Sequence, residues 1–578
     1  MYVLGISCYY HDSAACLLKD GEIIAAAQEE RFTRVRHDQE FPTQAIKYCL
    51  KQAGITIDRV DYVGFYDKPL IKFERILTTY VATWPRSYPS FIKSTPLWLR
   101  KKLWIPHLIK KELGYEGEVL MCEHHISHAA SAFLVSPYRE SAIVTVDGVG
   151  EWATATICKG EGSDIQILKE TRFPHSLGLL YSAYTYYLGF KVNSAEYKVM
   201  GLAPYGEPKY MDQVLETITY NEDGSFKMNM DYFAYDYGLE MTNRKFEKLF
   251  GRPKREPESK LEQFHKDVAM SVQRVTEEIV LRMVRHAHEI TGSNNLCMAG
   301  GVALNCVANG RVIKETPYKD VFVQPAAGDA GGAVGVATHI YHSVLGNERT
   351  WQWRHAYLGP EYSSDEIRGF LDKQGVVYKE FDEDGMLDAT VAAMVDQKTI
   401  GWFQGRMEFG PRALGARSII ADARNPENKS VVNLKIKFRE SFRPFAPSVL
   451  EEKCSEWFDL DVPSPYMLLV ADVREGRRTI PSVTHVDNSA RIQTVDPHTN
   501  PRYYKLIKRF DEKTGCPVII NTSFNVRGEP IVCTPNEAYL CFMRTNMDVL
   551  VMDRFVMYKP DQKPLEEDVD WRTLFALD

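Results

Sequence analysis

Three histidines fall inside E-H-H-I-S-H, residues 123 to 128, in a chain that has only 15. His124 and His128 are four apart, so a helix would set both imidazoles on one face, one turn from each other. With that spacing two neutral rings can share one metal ion. Two nitrogens leave a coordination sphere incomplete, and carboxylates are the natural complement for a Lewis-acid or redox-capable metal such as iron. Asp147 follows the apolar run A-I-V-T-V, and Asp329 sits in the turn P-A-A-G-D-A-G-G-A before an apparent helix. An isolated H-x-x-x-H is more often a pair of structural histidines bonded to backbone. Two aspartates on glycine-flanked turns shift the balance towards a metal site of His124, His128, Asp147 and Asp329. His125 points elsewhere on the same helix and is expected to be structural.

A second group suited to proton transfer lies in the turn Y-Y-H-D-S. His11 beside Asp12 is a credible acceptor for a hydroxyl proton, because an ordinary imidazole titrates near neutrality. Asp12 could equally cap its own turn. In M-A-G-G-V-A-L-N-C, residues 298 to 306, paired glycines between a strand and a helix let backbone N–H groups approach a phosphate. Gly300, Gly301 and Asn305 are the expected contacts, although a lone glycine pair more often marks close helix packing.

The C-terminal third gathers arginine and lysine in short motifs. G-R-M-E-F-G-P-R-A-L-G-A-R-S-I carries Arg406, Glu408, Arg412 and Arg417, and A-R-I-Q-T-V-D carries Arg491. N-L-K-I-K-F-R-E-S-F-R carries Lys435, Lys437, Arg439 and Arg443, and I-N-T-S-F-N-V-R-G-E-P carries Asn521, Ser523 and Arg527. A strand over K-I-K-F-R would place Lys435, Lys437 and Arg439 on one face. Set among Gly, Pro and Phe rather than along a charged helix, these groups are expected to line a pocket for ATP or another phosphorylated ligand.

The elements that must position these residues repeat. V-L-G-I-S, Y-Y-H-D-S, A-A-C-L-L, K-D-G and I-I-A-A-A read as strand, polar turn, strand, tight turn and strand. Residues 141 to 160 follow the same plan, with D-G-V-G-E as the polar turn. Such a duplication predicts the fold shared by actin, sugar kinases and Hsp70, which grips nucleotide between two halves. Helices are predicted over residues 42 to 54 and 260 to 290. Residues 205 to 260 lack periodicity and could either shape a substrate mouth or simply connect. Residues 68 to 115 are aromatic and basic, which suits an acceptor site, a dimer contact or a packed helical insertion. A looser texture near 350 to 360 marks a boundary, giving domains 1–355 and 356–578.

At 578 residues the chain exceeds one core. Its net charge of -7 gives no nucleic-acid footprint. Its N-terminus does not read as a signal peptide, and no apolar run is long enough for a membrane span. Eleven scattered Cys without a C-x-x-C pair suit reduced thiols and a cytoplasmic enzyme. A kinase of the same fold is the main alternative reading. H-E-x-x-H metalloprotease chemistry is unsupported, because His125 follows His124.

The motifs G-I-S-x-Y-Y-H-D-S-A-A-C-L-L-K-D-G-E, H-H-I-S-H-A-A-S-A-F, V-D-G-V-G-E-W, E-Y-K-V-M-G-L-A-P-Y-G, G-R-M-E-F-G-P-R-A-L-G and I-N-T-S-F-N resemble the O-carbamoyltransferase family. Its members include nodulation-factor and antibiotic-tailoring enzymes, and the resemblance spans essentially the whole chain. It implies an α/β protein whose actin/Hsp70/sugar-kinase-like N-terminal domain is similar to the tRNA threonylcarbamoyl-transferase, followed by a YrdC-like C-terminal domain. The latter would form carbamoyl-adenylate from carbamoyl phosphate and ATP, with magnesium accompanying the ATP. The former would carry the group to the hydroxyl of a small-molecule acceptor, a natural product or sugar. Iron(II), or another divalent metal, would be held by His124, His128, Asp147 and Asp329. Arg36, in T-R-V-R-H where relatives often read T-R-K-K-H, would replace a lysine near the adenylate. Neither nucleic acid nor membrane is expected as a partner, and a homodimer is the common default.

Overall fold

The first strand, Tyr2–Ser7, is buried along nearly its whole length, as its unbroken apolar run requires of a central strand. It pairs antiparallel with Ala14–Lys19, which pairs antiparallel with Glu22–Gln28. On its other side Tyr2–Ser7 runs parallel to Tyr62–Phe65, and that strand runs parallel to Val119–Met121. Glu140–Val146 begins a second sheet of the same design. It pairs antiparallel with Ala153–Glu161, which continues to Asp164–Arg172, and parallel with Asn295–Ala299, which continues to Asp320–Val323. Counting strands within each sheet, both have the order third, second, first, fourth, fifth. The duplication predicted from two short motifs therefore extends to complete sheets of the actin and sugar-kinase type.

The computed structural model describes residues 1–440 and 442–566. The chain forms two compact units: Met1–Glu29 with His37–Trp353, and Glu30–Arg36 with the chain from Arg354 onward.

In the first unit, each fifth strand leads into a helix rich in small residues. These are His124–Phe133 and Ala330–Thr338, the second being A-G-G-A-V-G-V-A-T. Their backbones touch: a Cβ on Gly335 would lie 1.7 Å from the Ser127 carbonyl oxygen. Only glycine permits that crossing. The aromatic and basic stretch forms helices Pro69–Ala82, Tyr88–Arg100 and Ile105–Leu113. Residues 205–260 contain a small hairpin of Ile218–Tyr220 and Phe226–Met228. They also supply Phe246 and Phe250, which pack edge-on against Tyr184. The Ser90 hydroxyl donates to the Tyr237 carbonyl at 2.9 Å, tying this segment to the second of the three helices.

The second unit is built on a nine-stranded mixed sheet. Ile400–Phe403, Arg417–Asp422, Val518–Ser523 and Ala446–Leu450 lie side by side at its centre. Helices Glu383–Val395 and Pro501–Thr514 belong to the same unit. Val431–Ile436 is a wide helical turn instead of the strand expected over K-I-K-F-R. Val432 and Ile436, four apart, are both fully buried, a helical spacing that outweighs a three-residue alternation. Among the described residues no helix is long and apolar enough to cross a membrane.

Candidate functional site

The duplicated topology brings four ligand-bearing residues to the centre of the first unit. His124 and His128 share one face of their helix, Asp147 follows the second sheet's first strand, and Asp329 precedes the helix Ala330–Thr338. One ligand atom from each lies within 4.8 Å of all the others. The His124 Nε2 is 3.1 Å from the His128 Nε2, 3.1 Å from Asp147 Oδ2 and 3.7 Å from Asp329 Oδ1. All four residues are buried, and Asp329 Oδ1 accepts no hydrogen bond. Two ring nitrogens facing each other with two carboxylates, away from water, fit a divalent cation.

The surrounding groups hold this set in place. Gly301 N–H donates to Asp147 Oδ1 at 2.8 Å, and the Tyr66 hydroxyl donates to Asp329 Oδ2 at 3.2 Å. Glu151 accepts from the backbone N–H of His124 at 3.1 Å and from that of Lys68 at 2.7 Å. Asp67 Oδ1 approaches the His124 Nδ1 obliquely at 3.2 Å. Burial opposes charge on Asp147, yet hydrogen bonds from His124 and His128 outweigh it and hold the carboxyl well below its ordinary range. His125 turns away, its Nδ1 2.6 Å from the Thr145 hydroxyl, and burial followed by the charge on His124 drives its pKa down. Sequence reasoning missed Asp67, Tyr66 and Glu151. The signal for Asp67 was its position just past the strand Tyr62–Phe65, equivalent to that of the Gly300–Gly301 pair in the second sheet.

His11 and Asp12 occupy the turn after the first strand. Asp12, at a φ of 51°, lies 3.0 Å from the His11 Nδ1 through Oδ2 and 2.8 Å from the His37 Nδ1 through Oδ1. His11 Nε2 is 3.8 Å from Asp329 Oδ2. Burial disfavours its charge, but Asp329 and Asp12 prevail and raise its pKa to about 10. His37 was not singled out in the sequence; its place in T-R-V-R-H was the available signal.

The residues expected to contact phosphate in M-A-G-G-V-A-L-N-C have partners within the chain. The Gly301 amide is committed to Asp147. Gly300 has a φ of 90°, and a Cβ there would lie 2.3 Å from the Val146 carbonyl oxygen, so it serves close packing. Asn305 accepts from Ala308 N–H at 3.2 Å, capping the next helix, and bonds Gln273 at 3.1 Å.

In the second unit, Arg417 is fully buried. It donates to the carbonyls of Gln404 and Pro360 and lies 3.6 Å from the Phe403 ring centroid. Glu408 accepts from three backbone N–H groups, of Leu414, Ala416 and Arg417, and Arg406 donates to the Leu358 carbonyl. These contacts tie all three side chains to the backbone around them. Asn521 is likewise buried, bonded to Gln493 at 2.8 Å and to Ser448 at 3.1 Å.

A cationic cluster stands apart from that framework. Lys437 is buried, with its ammonium donating to Ser523 Oγ at 3.0 Å and the Asn525 carbonyl at 3.1 Å. Burial, with the charges of Arg439 and Arg443, holds its pKa well below the ordinary lysine value. Glu440 lies 3.6 Å from both Arg443 and Arg527. Arg412 is half-buried beside Gly410, and Arg491 lies on the strand Ser489–Val495. Arg36 belongs to the segment Glu30–Arg36 of this unit. In that segment Arg34 donates to the Ile531 and Pro530 carbonyls and to Glu529. The side chain of Lys435 lies outside the described residues.

The carbamoyltransferase N-terminus family model matches residues 2–338, and the carbamoyltransferase C-terminus model matches residues 391–559. An uncharacterized protein of Synechocystis is 54% identical over 613 aligned positions, covering 100% of both chains. The nodulation protein NolNO of Sinorhizobium fredii is 36% identical, over 98% of this chain and 81% of its own. Component A of (R)-2-hydroxyglutaryl-CoA dehydratase from Acidaminococcus fermentans aligns at 12% identity and a TM-score of 0.34, covering 60% of this chain and 99% of that one. The tetrad lies within the first matched region and the Lys437 cluster within the second, and the chain belongs to the carbamoyltransferase family.

Proposed function

We propose that this carbamoyltransferase works in two ATP-dependent steps. In the second unit, carbamoyl phosphate, ATP and water give carbamoyl-adenylate, pyrophosphate and phosphate. The cluster of Lys437, Arg443 and Arg527, with Arg412 and Arg491, suits the phosphate groups of these ligands, and Arg36 belongs to the same unit. In the first unit, the acceptor hydroxyl attacks the carbamoyl carbon and AMP leaves with the C–O bond electrons. His11 takes the hydroxyl proton, with Asp12 fixing its Nδ1 side and leaving Nε2 to face the reaction. His124, His128, Asp147 and Asp329 would hold a divalent metal, iron(II) in this reading. That ion would supply Lewis-acid polarisation and offset the carboxylate charge that now favours protonated His11. Positioning both reactants against one fixed set of groups removes much of the entropic barrier.

The observation that carries the reading is the buried tetrad lying in a chain that matches both family regions. The acceptor is a small molecule bearing a hydroxyl group. The family assignment sets aside the kinase alternative. The test is pyrophosphate release from ATP and carbamoyl phosphate, with carbamoyl-adenylate followed by mass spectrometry. Wild type and His128→Ala should both form the adenylate, and Arg443→Ala should not. Wild type that forms none with any divalent metal would overturn the two-step scheme.

A further inference from the structure

The aromatic and basic helices take no part in the chemistry so far, yet they hold an electrostatic anomaly. Lys72 and Arg75 lie three apart on the helix Pro69–Ala82 and are each only 7% exposed. Lys72 is satisfied by Asp67 at 2.6 Å. Arg75 lies 4.8 Å over the Phe173 ring, and among the described residues its guanidinium makes no hydrogen bond and no ion pair. Lys102 is half-buried, its ammonium 5.3 Å over the Trp98 ring, and among the described residues it makes no ion pair. Burial first, and then the charge of Lys72, pushes the Lys102 pKa down to about 8.

The nearby carboxylates are already engaged: Asp67 by Lys72 and His124, and Glu151 by backbone N–H groups. A guanidinium removed from water without a hydrogen-bonded partner is costly. The site adjoins the reaction centre on two sides. Tyr10, whose ring is 5.3 Å from the Lys72 ammonium, lies 4.7 Å from the His11 ring. Asp67 links Lys72 to His124.

We propose that Arg75, beside Tyr10 and Phe173, forms a subsite for an anionic group, a carboxylate or phosphate, carried by the hydroxyl-bearing acceptor, with Lys102, a neighbour of Lys72, adding positive charge nearby. A guanidinium takes such a group through two parallel hydrogen bonds. The Phe173 ring in turn packs edge-on against Tyr235 of the segment 205–260, 6.1 Å away. The word acceptor rests on the transfer reading above; anion binding does not.

The test is calorimetric titration of the full chain with glucuronate, glucose and AMP as probes. Wild type should bind glucuronate and not glucose. Arg75→Gln should weaken glucuronate at least tenfold, and Arg75→Lys and Lys102→Met less, with Lys110→Gln, an exposed residue on the next helix, as the unchanged reference. No glucuronate binding by wild type, or binding unaltered in Arg75→Gln with its fold verified by circular dichroism, overturns the proposal. Arg75→Gln weakening AMP as strongly as glucuronate assigns the site to the donor's phosphate and overturns the acceptor assignment. Failure of pyrophosphate release would instead sink the two-step scheme and leave the titration standing.

Discussion

Asp67 holds the Lys72 ammonium at 2.6 Å with one oxygen and faces the Nδ1 of His124 at 3.2 Å with the other. A carboxylate behind a metal-ligating imidazole fixes the tautomer that presents Nε2 and raises the basicity of that nitrogen. Asp67→Asn keeps the shape and removes the charge. Metal affinity should fall about 10- to 100-fold, read by chelator competition, while pyrophosphate release stays at the wild-type rate.

The tetrad itself is tested by stoichiometry. Asp329→Asn leaves three ligands and removes one of two negative charges from a buried site. The purified variant should hold well under one equivalent of metal by elemental analysis, where wild type reconstituted in the same way holds one. Chelation of wild type should also lower its melting temperature, because a ligand bound only to the folded state stabilises it by mass action. An unchanged melting curve would show that the four groups bind no ion.

The helix crossing that carries the tetrad tolerates no added side chain. In Gly335→Ala the new Cβ would meet the Ser127 carbonyl oxygen at 1.7 Å, so one backbone must move. Overpacking of this kind costs about 1 to 3 kcal/mol, and more where backbone is the obstacle. A lower melting temperature together with reduced metal content is the expected pair of results. Ala at Gly369, where a Cβ meets nothing within 4 Å, should leave both unchanged.

The anion subsite should depend on pH through Lys102. Lys72, Lys101 and Asp67 are the charged groups around it, with the Cys8 thiol near and Trp98 beneath the ammonium. The amine is charged below about 8 and neutral above. Glucuronate stays ionised throughout, so its affinity should fall as pH rises from 7 to 9. Lys102→Met should flatten that profile, since a guanidinium keeps its charge over the range.

Much of the site was legible because its determinants are local. His124 and His128 declare themselves by helical spacing, and Asp147 and Asp329 by the turns that follow apolar runs. Asp67 and His37 gave weaker signals, a place just past a strand and a place in T-R-V-R-H: each is one polar residue whose partner is brought to it only by tertiary pairing. Arg417 and Glu408 show the reverse. Their motif has the composition of a lined pocket, but burial turned both towards backbone partners, a choice decided by exposure and invisible in residue type. Both five-stranded sheets could be anticipated from their first strands, because the strand–turn–strand plan appears twice. The wide turn at Val431–Ile436 could not, since three alternating residues fit a strand and a helix equally.

The heptapeptide Glu30–Arg36 has a consequence for how the protein is made and inherited. It belongs to the second unit, where Arg34 satisfies the Ile531 and Pro530 carbonyls and Glu529. The ribosome releases it more than 300 residues before Arg354 opens the rest of that unit. During synthesis this short piece must wait for its partners. A gene divided at the boundary would strand it with the wrong half. Recombination among relatives can therefore exchange the C-terminal unit cleanly only if the residues around Arg34 travel with it.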